Sequence, residues 1–93
     1  MTTMKLRKSI QAHGELLGEL SFREPVGHDL VKSGMPMFTD QAGNKRTDPE
    51  AITRLIANLT EIPPSSVGTM SLPDFIEATG IVVGFFADAT PSS

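Results

Sequence analysis

The chain has 93 residues, a formal net charge of −3, two histidines and no cysteine, which excludes a disulfide framework and a thiolate metal site and fits one small domain. A domain of this size buries only about 60–65% of the surface its unfolded chain exposes, so its stability is expected to lean on a partner or on self-association. All eight Lys and Arg residues lie at or before Arg54, which makes the C-terminal part a poor surface for nucleic acid.

From Met4 onward, Met4, Leu6, Ile10 and Ala12 alternate with polar residues, with Lys8 as the misfit, and predict a half-exposed strand. His13-Gly14 marks a tight turn. Beyond it Leu16, Gly18, Leu20 and Phe22 fall on one face of a second strand, so the two runs predict an antiparallel hairpin, with Gly18 weakening its strand or placing a bulge there. Pro25 lacks an amide hydrogen and disfavours helix at Glu24, so the strand stops and a short helix follows over 26–33. Asp29 sits in its first turn, where the helix dipole favours an anion, and Gly34 with Met35-Pro36 supplies the stop. Residues 37–47 show no period and are read as a mobile loop.

Asp48 as N-cap and Pro49 in the first helical position open the clearest helix, with Ile52, Leu55, Ile56 and Leu59 as its apolar stripe. Pro63-Pro64 ends it, and residues 65–70 turn the chain. Ser71 with Asp74 three residues later resembles a capping box for a last helix over 72–87. Phe75, Ile76, Thr79, Val83 and Phe86 form one face of that helix, widened by Ile81, Val82 and Phe85, and the tail 89–93 is expected to fray. An apolar run from Gly80 to Ala87 is far short of the roughly 20 residues that span a bilayer, and no secretory leader pattern opens the sequence. A soluble, intracellular protein without membrane contact is expected.

No pattern for catalysis, metal or cofactor binding survives inspection. Arg23 and Glu24 are neighbours on a strand and point to opposite faces, so they cannot act on one atom; a structural use, pinning the hairpin to the first helix, fits better. His28-Asp29 resembles a dyad, yet neighbouring helical side chains diverge by about 100° and no Ser or Cys is placed as nucleophile. Gly80-Ile-Val-Val-Gly84 allows close approach of another helix, either within the chain or from another one. Met35 and Met37 beside Phe38 could form an adaptable apolar patch. The two later helices superficially suggest a helix-turn-helix DNA-binding regulator, but the second contains no Lys, Arg, Asn or Gln to read bases. An apolar, cation-free last helix favours a binding module over an enzyme.

The segment Leu20-Ser-Phe-Arg-Glu-Pro, followed by Gly27 and Asp29-Leu30, resembles the signature of the small tail assembly chaperones of contractile-tailed, Mu-like phages and prophages. Residues Ile52 to Leu59, Pro64-Ser65, Asp74-Phe75 and Phe85-Phe86 continue that pattern in order, over roughly residues 5–87. Phe22 replaces the usual aliphatic residue, and Val26 stands where a capping Thr is common. The resemblance implies a non-catalytic protein without cofactor that acts in the cytoplasm of the bacterial host and is absent from the mature virion. Its implied partner is the tape-measure protein, kept soluble during tail assembly. The expected fold is α+β, a single domain with an N-terminal antiparallel hairpin and two or three helices, ordered over about 4–88 and self-associating. Phe75, Ile76, Thr79, Val83, Phe85 and Phe86 are the expected partner-binding residues; Phe22, Arg23, Glu24, Pro25, Asp29 and Leu30 are the structural signature.

Overall fold

In the computed structural model, which describes residues 2–89, strands β1 (Thr2–Ala12) and β2 (Glu15–Phe22) pair antiparallel around His13-Gly14. Both turn residues have positive φ, 55° and 77°, as a two-residue turn of type I′ requires, and its twist matches that of the flanking strands. His13 Nε2 donates to the Glu61 carbonyl at 2.9 Å, tying the hairpin tip to a later helix end. Residues 90–93, part of the tail expected to fray, lie outside the described residues.

The pairing is not continuous. Thr2 to Lys5 face Phe22 to Glu19, whereas Ile10 to Ala12 face Leu17 to Glu15. Five steps along β1 match two along β2, so β1 bulges over residues 6–9 opposite Gly18. An odd shift in register inverts which side chains meet the core. Leu16, expected on the inner face with Leu20 and Phe22, is therefore 68% exposed, and Leu17 packs on the core instead. Lys8, the misfit in the alternation, lies in the bulge and is exposed.

Helix α1 (Gly27–Ser33) follows Pro25, and a second hairpin, β3 (Met37–Thr39) with β4 (Lys45–Thr47), occupies the stretch read as a loop. Asp40 organises its turn: one carboxylate oxygen accepts from the Ala42 and Asn44 amides, the other from Arg46 Nε at 2.9 Å. No residue of either strand is buried. Without a buried face nothing imposes alternation, which is why the sequence gives no period there. The Asp48 amide donates to the carbonyl of buried Pro36 and anchors the base of this hairpin.

Helix α2 (Pro49–Thr60) runs through the centre and touches β2, α1, α3 (Pro64–Val67) and α4 (Leu72–Ala89). Its N-cap Asp48 accepts from the Glu50 and Ala51 amides at 3.1 and 3.4 Å. Ile52, Leu55, Ile56 and Leu59 are each at most 1% exposed. Glu61 closes the helix in the left-handed region at φ 59°, with the Ile62 amide reaching back to the Ala57 carbonyl. The short α3 stands where only a turn was expected, so four helical segments rather than two or three accompany the hairpins among the described residues. The architecture is α+β, with the inner face of the first hairpin, α2 and α4 enclosing one core of Met4, Leu20, Phe22, Leu55, Ile56 and Val82 with their neighbours.

Candidate interaction surface

Two buried carboxylates fix the elements that flank the molecule's apolar surfaces. Asp29 is the third residue of α1 and is 2% exposed. It accepts from the Val26 amide at 2.8 Å, from both terminal nitrogens of Arg23 at 2.9 and 2.6 Å, and from the Asn58 side chain. Val26 is the N-cap but offers no side-chain acceptor, so the Asp29 amide donates to the Val26 carbonyl and only the acidic half of a capping box is built. The Arg23 fork, outweighing the cost of burial and joined by the Val26 amide, holds the Asp29 carboxyl down at about 2. The Arg23 amide donates to the Leu59 carbonyl, so β2, α1 and α2 meet at this point. Phe22 is buried, Pro25 and Leu30 are half-buried, and Glu24 is exposed. His28 is exposed as well, and nothing nucleophilic bonds to Asp29.

Asp74 is the third residue of α4 and completely buried. Its carboxylate accepts from the Arg7 amide through both oxygens at 3.1 and 3.0 Å, from the Lys8 amide at 3.2 Å and from the Arg7 guanidinium at 3.1 Å. The expected box is therefore half formed: the Asp74 amide donates to Ser71 Oγ at 3.4 Å, while the acid caps the β1 bulge, whose amides have left the ladder. Burial raises the Asp74 carboxyl, but the Arg7 and Lys8 amides, the Ser71 hydroxyl and the Arg7 guanidinium outweigh it and hold it below the usual carboxylate range. Arg7 also bridges to Glu77 at 3.0 Å. Nothing in the strand or helix pattern announces this contact, because it joins residues 67 positions apart.

Held in this way, α4 turns Asp74, Ala78 and Val82 inward, spaced four residues apart and all fully buried. Phe75, Ile81, Phe85 and Phe86 flank that ridge, partly buried against the core. The opposite side is apolar too. Leu72 is 71% and Ile76 61% exposed, with Thr79 and Val83 half-exposed on the same side. Of the expected partner-binding residues, Ile76 is thus the most exposed, Thr79 and Val83 share its side, and Phe75, Phe85 and Phe86 divide their surface between core and solvent. Leu72 belongs to this surface and was missed, because it precedes the apparent periodic stripe. Gly80 and Gly84 have open space where a Cβ would project. Close packing among the described residues does not account for them, although each costs about 1 kcal/mol relative to alanine in a helix.

A second exposed apolar group lies at α1 and β3, comprising Val26, Val31, Met35 and Phe38, with Met37 half-buried. Open concavities lie among the described residues. One lies between β2 and the end of α2, floored by Leu17, Leu20, Leu59 and Ile62; another separates α1 from α2, edged by Lys32, Arg54 and Asn58. Among the described residues no three His, Asp or Glu side chains gather as a metal site, and no helix is long and apolar enough to cross a membrane. The geometry suits contact with another polypeptide: a helix latched to β1 at its start, with an apolar outer side and no cation.

The sequence model for a family described as phage tail assembly chaperone proteins, E, or 41 or 14, matches residues 3–87. No curated protein and no solved structure matches the chain.

Proposed function

The chain belongs to the phage tail assembly chaperones, and from that premise we propose that it binds the tape-measure protein of a contractile, Mu-like tail and keeps it soluble until tube subunits polymerise around it. The observation that supports this most is the outer side of α4, where Leu72 and Ile76 stand exposed on a helix whose other side is already buried. An apolar helix face of this kind covers the apolar stripe of an amphipathic client helix. The work is binding and release, with no bond made or broken and no cofactor. It takes place in the cytoplasm of the bacterial host, and the protein leaves before the virion is complete. Self-association through the same side of α4 shields it when no client is present.

Co-expression with the tape-measure protein of a contractile, Mu-like phage tests the reading. The client is expected to move into the soluble fraction and to co-elute with the chaperone; an unchanged soluble fraction without co-elution refutes the role. Ile76→Asp is the cleanest surface variant, because Phe75 and Phe86 also support the core and their loss would confuse binding with folding. It is expected to keep the fold and to weaken client binding at least about tenfold, the effect of removing a central apolar contact. Light scattering on the free chain checks self-association, which the same variant should reduce.

A further inference from the structure

The two halves of α4 are attached unequally. In the first turn Asp74 is fully buried and takes two β1 amides, and one turn later Glu77 shares Arg7 with it. Past Ala78, Val82 is the one fully buried side chain among the described residues, while Ile81, Phe85 and Phe86 are only partly covered. Gly80 and Gly84 stand in this distal half with nothing within 4 Å of a projected Cβ. Among the described residues no close approach requires them, and each lowers the resistance of the helix to opening, because glycine loses more backbone freedom on folding than alanine. Peripheral packing and weak intrinsic helicity coincide, and such segments open locally before the rest of a fold.

We infer that α4 is a strap, latched to the β1 bulge through its first turn and able to lift or unwind from Gly80 onward, which uncovers Ile81, Val82 and Phe85 for a partner helix. The motion belongs to the free chain; its use in client capture rests on the proposed tape-measure role. The lifted half is apolar on nearly every side and holds no cation. Its partner is therefore the apolar stripe of an amphipathic helix, which replaces the core contacts that the strap gives up.

Hydrogen exchange on the free, full-length chain tests the motion. Amides of residues 81–86 are expected to exchange at least about tenfold faster than those of 75–79, and the Gly80→Ala, Gly84→Ala double variant to slow the distal amides roughly 10–30-fold. Open space at both sites allows the variant to fold. Uniform protection along α4, or distal rates that the double variant leaves unchanged, overturns the strap. The same variant is expected to bind a tape-measure segment about tenfold more weakly, the loss that follows when a binding-competent state becomes about tenfold rarer. Unchanged affinity alongside slowed exchange overturns the link between opening and capture. If the unaltered chain binds no tape-measure segment, the proposed function falls, and the exchange rates still decide the strap.

Discussion

Asp29 and Asp74 occupy the same place in their helices, three residues past the N-cap, and both are buried, yet they act over different distances. Asp29 works within its own neighbourhood: Val26 and Arg23 lie three and six residues away, and only Asn58 is remote. Asp74 leaves its own helix start and caps a strand 66 and 67 residues earlier. The same residue at the same helical position is thus a local cap in one region and a tertiary clasp in the other. The difference arises from the neighbours. Arg23 brings a cation to Asp29 from the strand just before its helix, whereas the β1 bulge presents Asp74 with two amides that no strand partner satisfies.

The largest effect is expected where the clasp is removed. Asp74→Ala leaves the Arg7 and Lys8 amides without an acceptor and unseats α4, and a fall in Tm on the order of 10 °C or more by calorimetry is expected. A loss no greater than that of Asp29→Asn would break the contrast between clasp and cap. Asp29→Asn keeps the shape but forfeits the charged pair with Arg23, and chemical denaturation should register roughly 2 kcal/mol, the equivalent of the lowering of its carboxyl from 3.8 to about 2.

Acid titration follows from the same lowering. The folded Asp29 carboxyl lies below its unfolded value, so its contribution is complete above about pH 4 and disappears as pH falls toward 2. Asp74, lowered as well, adds to that acid loss. In Asp29→Asn the slope of stability against pH between 4 and 2 should flatten; an unchanged slope assigns the acid sensitivity to other groups.

Smaller changes sharpen the comparison. Val26→Thr gives α1 the hydroxyl cap that α4 has in Ser71 and is expected to add about 1 kcal/mol. Arg7→Ala keeps the bulge amide while removing an exposed guanidinium, so Tm should shift by less than about 3 °C. A larger shift would transfer the latch from the main chain to the ion pair.

Much of the fold is legible in the residue order because its determinants are short-ranged. His13-Gly14 specifies a turn, Pro25 a strand end, and Asp48-Pro49 a helix start, each through backbone geometry set within a few residues. The stripe of α2 is readable because one face of a regular helix is fully buried. Leu16 and Leu17 exchange roles for the opposite reason: strand alternation is only as good as its register, and a bulge forms in response to what packs against it. The outer side of α4 was readable as excess apolar surface, but which residues belonged to it was not, since a helix that is apolar all round has no periodic signal to divide core from surface.

Local chemistry in the sequence by itself therefore determined the first hairpin, the two longer helices, their turns and the chaperone signature. The tertiary structure decided the bulge, the second partner of each buried carboxylate, the second hairpin and the two sides of α4. Those features depend on groups brought together across dozens of residues, where the free energy of a hydrogen bond or a buried face is fixed by the partner that arrives and not by the segment that waits for it.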